Sequence, residues 1–445
     1  MQQLSFWLQQ ELPAQPNLQG AYQTDVLVIG GGLAGLQCAL QLREAGLDTL
    51  LLEAGRLGRG TSGHTTAKVS LQHGVCYSNL TKLWGEDVAK QYAVANKNAQ
   101  EAIASYAQHG CSLTRADSFL YTRNPSLVAQ LEEESRAAQK AGLPMRLQRQ
   151  SPLPFSVAGT LCLPGQIMLH PLEYMRLLCK KLTGCLYENS RVIRLENNIA
   201  FTHGGSVRAK HIIVATHYPF INTPGYYFLK LYQSRSAVLA LSKAPVISGM
   251  HIALEENGLS LRMQEDYLIL GSSSGWRCGT REKTAHFKQL CQQASALFPK
   301  AAIEFAWAAQ DCMPPDGLPY IGSYSAGLSE IYVATGFHKW GLTQSMLAAQ
   351  IITGEILRRP LPYAGLFSPA RSKLPGLPSL LKSDGNMVGY YMRGLPRFDC
   401  PTCSHLGCRL VFNPEEQTWD CPAHGSRFSE EGDILEGPTT RGLNR

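Results

Sequence analysis

The clearest pattern of apolar and polar positions lies between Asp25 and Glu53. A short apolar run that ends in glycine predicts a buried strand, an apolar-rich stretch from Leu33 to Ala45 predicts a helix, and a second apolar run that ends in an acid predicts another strand. Strand, glycine turn, helix and strand in this order form the first part of a dinucleotide-binding unit. The pattern therefore predicts an α/β domain at the start of the chain.

The turn in this unit has the spacing G-x-G-x-x-G, with Gly30, Gly32 and Gly35 at the glycine positions. The first glycine allows a tight turn, the second lets the backbone approach a pyrophosphate, and the third lets the helix pack closely on the strand. The helix N-terminus then faces the phosphates, and Glu53 is placed to accept hydrogen bonds from ribose hydroxyls. The turn alone is a weak signal, but the complete unit predicts a dinucleotide site.

Later apolar runs divide the remainder of the chain. The buried run HIIVAT predicts a strand that rejoins the first sheet, and the run IYVAT, with a turn at Gly336 and a helix from Thr343, predicts a second helix N-terminus that faces a ligand. The predicted segments are a polar lead-in over 1–20, a discontinuous dinucleotide-binding domain over 21–78, 150–220 and 305–357, a helical insertion over 79–149, a substrate domain over 221–304, a proline-rich linker over 358–384, and a short cysteine-rich domain over 385–445.

Composition narrows the class of protein. With 44% hydrophobic and 17% charged residues, the chain has the balance of a soluble globular protein, and no apolar run is long enough to predict a membrane span. The first residues show no basic segment followed by an apolar core, so we expect a cytoplasmic protein. The net charge of +7 is spread without a dense Lys/Arg block, so we expect no nucleic-acid partner.

Four of the 13 cysteines need a separate explanation. The cysteines before residue 400 are scattered and are typical of buried thiols in a reducing compartment. Cys400, Cys403, Cys408 and Cys421 instead lie close together near the C-terminus. This local density predicts a metal centre.

The spacings Cys403-x-His405 and Cys421-x-x-His424 offer one thiolate and one imidazole on each of two loops. This set suits a [2Fe–2S] cluster in which two thiolates hold one iron and two imidazoles hold the other. The chemical alternative is a tetrahedral zinc site made of Cys400, Cys403, Cys421 and His424. That alternative leaves His405 and the run HGSRF without a role.

Five motifs give the first part of the chain a family resemblance. VIGGGLAG, LLEAG, GTSGHT, WAAQDCMPPDGLPYIG and VATGFHKWG together resemble the D-amino-acid oxidase-type FAD oxidoreductases, which include sarcosine and glycine oxidases. The resemblance implies FAD held along its whole length. The cofactor-binding residues that it implies are Gly30, Gly32, Gly35, Glu53, Thr61, Ser62, Val192, Ala215, Thr216, Gly336, Gly341, Leu342 and Thr343.

The tail resembles a Rieske domain, and the whole chain resembles bacterial fusions of such a flavoprotein with a C-terminal Rieske [2Fe–2S] domain. The resemblance implies that Ser426 hydrogen-bonds the cluster and that Gly437 and Pro438 belong to the loop that caps it. Many relatives pair the cysteine at Cys408 with a second cysteine, but Ala423 stands in that position here, so the disulfide cannot form. We therefore expect an α/β protein with a Rossmann-like FAD-binding domain, an inserted α+β substrate domain and a small all-β Rieske-like domain.

These expectations favour an oxidoreductase whose FAD removes a hydride from a C–N bond of an amine or amino acid and passes electrons to the cluster and on to an external acceptor. Two alternatives remain open: electrons entering at the cluster, and an electron-transfer or redox-sensing protein without its own substrate, which predicts no pocket beside residues 225–300. The candidate substrate-site residues are His338, which would face the flavin, Arg235, which would clamp a carboxylate, and also Tyr232, Trp276, His170, His217 and Lys339.

Overall fold

The computed structural model describes residues 2–108, 110–256, 258–272, 275–280, 285–371 and 400–443. Within these residues the strands form three sheets, of eight, ten and four strands. The first two sheets and their helices make up the N-terminal unit (residues 2–371). The third sheet belongs to the C-terminal unit (residues 400–443).

The first sheet is built around the glycine-turn strand. Its strands are β1 (Gly20–Ile29), β2 (Thr49–Leu52), β7 (Leu186–Tyr187), β8 (Arg194–Glu196), β9 (Ile199–Phe201), β10 (Gly205–Val214), β17 (Tyr320–Ser325) and β18 (Leu328–Thr335). β1 pairs in parallel with β2 and β10, and β10 pairs in parallel with β18. The apolar halves of these strands are buried, as expected for a parallel sheet covered on both faces. The prediction that HIIVAT rejoins the first sheet is confirmed.

The second sheet forms the opposite side of the N-terminal unit. Its strands are β3 (Lys68–Val69), β4 (Leu113–Thr122), β5 (Arg146–Gln148), β6 (Gly159–Leu169), β11 (Tyr232–Ser242), β12 (Met250–Ala253), β13 (Leu259–Gln264), β14 (Tyr267–Ser272), β15 (Trp276–Arg277) and β16 (Ala302–Met313). The long strands β11 and β16 pair antiparallel along almost their full length. Side chains of this sheet line one side of the cavity described below.

Helices cover the sheets and place two N-termini near the centre of the N-terminal unit. They are α1 (Leu33–Glu44), α2 (Cys76–Trp84), α3 (Glu86–Ala107), α4 (Val128–Lys140), α5 (Pro171–Lys181), α6 (Tyr227–Lys230), α7 (His286–Leu297), α8 (Gly341–Ile356) and α9 (Ala364–Phe367). α1 packs against α8. Both are buried over most of their length, because each lies between the first sheet and other elements.

Two predicted segments differ from the structure. The helical insertion over 79–149 contains the strands β4 and β5, because the apolar end of β4 is buried between β6 and β12 and that pairing decides its conformation. The polar lead-in over 1–20 is anchored in the core. Phe6, Trp7 and Leu8 are buried, and Trp7 Nε1 donates a hydrogen bond to the carbonyl of Thr65 at 2.6 Å.

The C-terminal unit is a small antiparallel sheet of β19 (Val411–Asn413), β20 (Thr418–Asp420), β21 (Arg427–Phe428) and β22 (Ile434–Glu436). The predicted linker over 358–384 from residue 372 onward, and residues 385–399 of the predicted C-terminal domain, lie outside the described residues. Among the helices that the structure describes, none combines the length and the apolar character needed to cross a bilayer.

Candidate functional site

A cavity of about 1390 Å³ lies between the first and second sheets and reaches the C-terminal unit. Ten of the cofactor-binding residues implied by the resemblance line it: Gly30, Gly32, Glu53, Thr61, Ser62, Val192, Ala215, Thr216, Gly341 and Leu342. The described lining does not include Gly35, Gly336 or Thr343. Residues from distant parts of the sequence therefore meet on one cavity.

The glycine turn is packed so tightly that side chains would not fit. A Cβ on Gly35 would lie 1.9 Å from the carbonyl oxygen of Gly30, and a Cβ on Gly30, whose φ is +112°, would lie 2.5 Å from the carbonyl oxygen of Ala215. α1 therefore sits directly on the end of β1, as the third glycine of the motif predicts. The open space in front of the turn is left to a ligand.

Polar side chains on both sides of the glycine turn hold it in place by hydrogen bonds. The carboxylate of Glu53 accepts hydrogen bonds from the backbone N–H groups of Gly31 at 2.7 Å and Gly55 at 2.8 Å. The hydroxyl of Ser62 accepts a hydrogen bond from the N–H of Leu33 at 3.0 Å. Burial raises the pKa of Glu53, against the opposing effect of these N–H groups. Glu53 thus fixes the loop as well as facing the cavity.

The sequence-predicted substrate residues divide into two sets. His338, Lys339, Tyr232, Trp276 and His217 line the cavity. Burial lowers the pKa of His338 to about 4, so its imidazole is neutral at pH 7. Lys339 donates a hydrogen bond to the hydroxyl of Ser236 at 3.1 Å, and burial lowers the pKa of its ammonium, against the opposing effect of the charge of the cavity-lining Asp311. His170, in contrast, caps α5 by accepting a hydrogen bond from the N–H of Glu173 at 3.4 Å.

The prediction that Arg235 clamps a substrate carboxylate is contradicted by its contacts. Its side chain is fully buried, and its Nη2 donates to both carboxylate oxygens of Glu416, at 2.6 and 2.7 Å. Its Nη1 donates to Gln310 Oε1 at 2.8 Å. The carboxylate that Arg235 clamps therefore belongs to the C-terminal unit of the same chain. The arginine joins the two units instead of facing the cavity.

The two Cys/His loops of the C-terminal unit meet. Cys403, Cys421 and His424 are buried, and the thiols of Cys403 and Cys421 lie within hydrogen-bonding distance of each other. The rings of His405 and His424 stand at 87° with their centroids 5.0 Å apart. Two thiols and two imidazoles are thus gathered at one end of the small sheet.

The hydrogen bond of His405 defines which ring nitrogen remains for a metal. Its Nε2 donates to the amide oxygen of Asn222 at 2.7 Å, and an amide oxygen can only accept. In the neutral ring the proton is therefore on Nε2, and Nδ1 carries a free electron pair. That Nδ1 is buried and has no hydrogen-bond partner among the described residues. A metal bonded at Nδ1 would satisfy it.

Cys400 and Cys408 have different surroundings. The thiol of Cys400 accepts a hydrogen bond from the guanidinium of Arg409 at 2.9 Å. Cys408 is buried next to Cys421 and is a free thiol, and Ala423 lies beside it. The arrangement gives Cys400 a partner outside the proposed zinc set.

The Cys/His end of the C-terminal unit is pressed against the N-terminal unit. Gln233 Nε2 donates to the carbonyl of His424 at 2.8 Å, and Gln310 Nε2 donates to the carbonyl of Gly425 at 2.8 Å. Residues 434–440 continue from this contact into the wall of the cavity. Asn222, Gln233, Gln310 and Glu416 are the residues that the motifs did not reveal, because their role depends entirely on a contact between distant segments.

Comparisons with known proteins identify relatives of both the N-terminal and the C-terminal unit. Residues 25–354 match the family FAD dependent oxidoreductase (DAO), and residues 400–445 match the Rieske [2Fe-2S] domain. A Bacillus subtilis (strain 168) protein named YhfW, described as a Rieske 2Fe-2S iron-sulfur protein, is 30% identical over 98% of this chain and 96% of its own. Gamma-glutamylputrescine oxidoreductase of Escherichia coli (strain K12) is 28% identical over 43% of this chain and 48% of its own.

Solved structures with the same fold include the L-proline dehydrogenase of P. horikoshii, with a TM-score of 0.67 and 18% identity over 79% of this chain and 98% of that one. The glycine oxidase of Geobacillus kaustophilus has a TM-score of 0.66 and 18% identity over 79% of this chain and 100% of that one.

The chain is an α/β flavoprotein joined to an iron–sulfur domain. It belongs to the DAO family of FAD-dependent oxidoreductases and carries a C-terminal Rieske [2Fe–2S] domain, so its cofactors are FAD and a [2Fe–2S] cluster. The Rieske match excludes the zinc alternative.

We expect Gly35→Ala to reduce the FAD that purifies with the protein. The added methyl group would collide with the Gly30 carbonyl, so α1 would have to move away from β1, at a cost of about 1–3 kcal/mol. The measurement is the ratio of flavin to protein absorbance. Gly327→Ala is the matched control, because a Cβ there meets nothing within 4 Å. Equal flavin content in both variants would contradict the role given to this contact.

Proposed function

We propose that this protein dehydrogenates a C–N bond of a small amine or amino acid and that the electrons leave through the C-terminal unit to an external acceptor. The observation that carries the proposal is the shared wall of the cavity. Residues 434–440 of the C-terminal unit line the same cavity as Gly30, Glu53 and Gly341. The substrate site and the electron-transfer domain therefore adjoin one cavity. This arrangement suits an enzyme that couples oxidation of a small molecule to one-electron transfer.

The N-terminal unit fits FAD. A Cβ at Gly30 or Gly35 would collide with the backbone, so the tight turn depends on glycine there, and the N-termini of α1 and α8 both reach the cavity. Gly30, Gly32, Ser62 and the first residues of α1 would hold the pyrophosphate, and Glu53 would accept from the ribose. Thr216, Gly341 and Leu342 would lie beside the distal part of the cofactor.

The C-terminal unit fits the cluster. Cys403 and Cys421 would hold one iron, and the Nδ1 atom of His405 together with the imidazole of His424 would hold the other. Ser426 is fully buried beside the Cys403 thiol, where its hydroxyl could hydrogen-bond the cluster. When bound, FAD takes up two electrons with the hydride, and the cluster takes up and releases one electron at a time.

The substrate side of the cavity favours an enzyme over a redox sensor. A protein without its own substrate predicts no pocket beside residues 225–300, yet Tyr232, Ser260, Trp276 and Gln289 line the cavity there. The names of its relatives and structural neighbours refer to glycine, L-proline and gamma-glutamylputrescine. The neutral His338 imidazole would accept or donate a hydrogen bond there without adding charge to the cavity.

The test is anaerobic stopped-flow mixing of the purified protein with glycine, L-proline, sarcosine and putrescine. We expect at least one of them to bleach the flavin absorbance, followed by reduction of the cluster, measured in parallel by freeze-quench EPR. Failure of every compound to bleach the flavin would count against the C–N substrate class. A flavin that is bleached while the cluster stays oxidised would show that the electrons do not leave through the C-terminal unit.

A further inference from the structure

A buried lysine faces the cavity from the second sheet. Lys68, in β3, is 6% exposed and lines the cavity. Its Nζ donates a hydrogen bond to the hydroxyl of Ser260, in β13, at 2.5 Å. A lysine is seldom buried to this degree without a charged partner. Its position therefore needs a reason beyond packing.

The charged neighbours of Lys68 do not neutralise it. Arg262, two residues after Ser260, is also buried, and its guanidinium donates only to neutral acceptors, the carbonyls of Ala67, Leu169 and Met263 and the side chain of Gln264. Among the described residues no carboxylate lies within ion-pair distance of either cation. Burying a charge without a partner is costly, so the pair together favours a ligand with negative charge.

The titratable groups nearest to Lys68 do not supply the missing negative charge. Burial, together with the positive charge of Arg262, lowers the pKa of the Lys68 ammonium to about 7. The nearby His251 is stacked on Phe119, and burial lowers its pKa to about 4. Of the acids on the cavity wall, Glu255 accepts hydrogen bonds from Thr122 and the backbone of Arg123. An anion beside Lys68 would restore its full charge.

We propose that Lys68 binds the carboxylate of the substrate, so that the substrate is an amino acid or another amine that carries an acid group. This inference rests on the proposed function. It goes further because it distinguishes amines that carry an acid group from amines that carry none. A hydrogen bond between a buried ammonium and a carboxylate is of the strong, charge-assisted kind. Ser260 holds the ammonium in place for it.

The pyrophosphate of FAD is an unsuitable partner for this lysine. The glycine turn follows β1 in the first sheet, whereas Lys68 and Ser260 belong to the second sheet. The two other lysines of the described cavity wall each have a charged or aromatic partner that Lys68 lacks. Lys339 has Asp311 nearby, and Lys230 lies over the ring of Tyr227, 5.2 Å from its centroid. Lys68 is therefore the lysine of the described cavity wall that most requires an anion.

The test measures binding, not turnover. The oxidised holoprotein is titrated with acetate, propionate and benzoate and with acetamide, propionamide and benzamide, and binding is measured by the change in the visible flavin spectrum. In the parent protein we expect the carboxylates to bind more tightly than their amides. Lys68→Met and Lys68→Gln should each weaken carboxylate binding by roughly 10- to 100-fold and leave amide binding unchanged, while Lys68→Arg should retain the preference for carboxylates.

Two results would overturn the inference. One is that Lys68→Met and Lys68→Gln, with normal flavin content, bind the carboxylates as tightly as the parent. The other is that Lys339→Met alone removes the carboxylate preference. Either result leaves the proposed function intact as long as an amine still bleaches the flavin. If no amine does so, the proposed function fails whatever the carboxylate titrations show.

Discussion

Replacing Arg235 with methionine is expected to lower the free energy of unfolding by about 3 kcal/mol and to loosen the C-terminal unit from the N-terminal unit. Removing one partner of a buried ion pair leaves the other charge uncompensated, which typically costs about 3–5 kcal/mol. Arg235 is fully buried and holds Glu416 by two hydrogen bonds. Because Glu416 would keep a contact with Arg427 at 3.0 Å, we expect the lower end of that range.

The charge balance of the contact explains why Arg427 cannot replace Arg235. Arg427 already pairs with Asp420 at 3.0 Å and lies 3.8 Å from Glu436, so without Arg235 one cation would face three carboxylates. Denaturant unfolding followed by intrinsic fluorescence measures the effect. Lys82→Met is the matched control, since its pair with Glu133 is more than 40% exposed on both sides and should contribute less than about 1 kcal/mol.

A double-mutant cycle with Glu416→Gln separates the pair from the substitution itself. If Arg235 acts through Glu416, the two changes together should cost less than the sum of the single changes. Arg235→Met with an unchanged free energy of unfolding would mean that other contacts, such as those of Gln233 and Gln310, hold the two units together.

Features fixed by short-range geometry could be predicted from the sequence. The unit from β1 to β2 is confirmed because its tightest contact, between Gly35 and the carbonyl of Gly30, arises within a few residues of chain. The Cys/His loops could be recognised for the same reason, since a cluster site imposes its spacing locally. The structure brings Cys403, His405, Cys421 and His424 together at one end of the small sheet.

Features fixed by distant contacts could not be predicted. An arginine near a cofactor site often binds a carboxylate, which favours a substrate clamp at Arg235, but the partner of Arg235 lies 181 residues further along the chain. Lys68 lies in a polar stretch rich in Gly and Thr, where no pattern signals that β3 and β13 will bury it. The sequence pattern does not reveal strand β4, because only its pairing with β6 and β12 distinguishes it from the helices on either side.

Cys421→Ser is expected to abolish the EPR signal and visible bands of the [2Fe–2S] cluster while FAD remains bound. The proposed ligation gives one iron two thiolates, from Cys403 and Cys421, and a serine hydroxyl is a poor substitute for a soft thiolate ligand. FAD should be retained because the glycine turn and Glu53 belong to the N-terminal unit. Reduction by substrate should then stop at the flavin, which stopped-flow absorbance measures.

The neighbouring thiols supply the controls for this prediction. Cys408→Ser makes the same change beside Cys421, and Cys400→Ser makes it at the thiol that contacts Arg409. Both variants should keep the cluster, because neither cysteine belongs to the Cys-x-His or Cys-x-x-His spacing. Loss of iron in Cys400→Ser would contradict the assignment of the cluster ligands to Cys403, His405, Cys421 and His424. A cluster that survives Cys421→Ser but not Cys408→Ser would mean that Cys408 is the ligand and that the missing disulfide partner at Ala423 has freed it for that role.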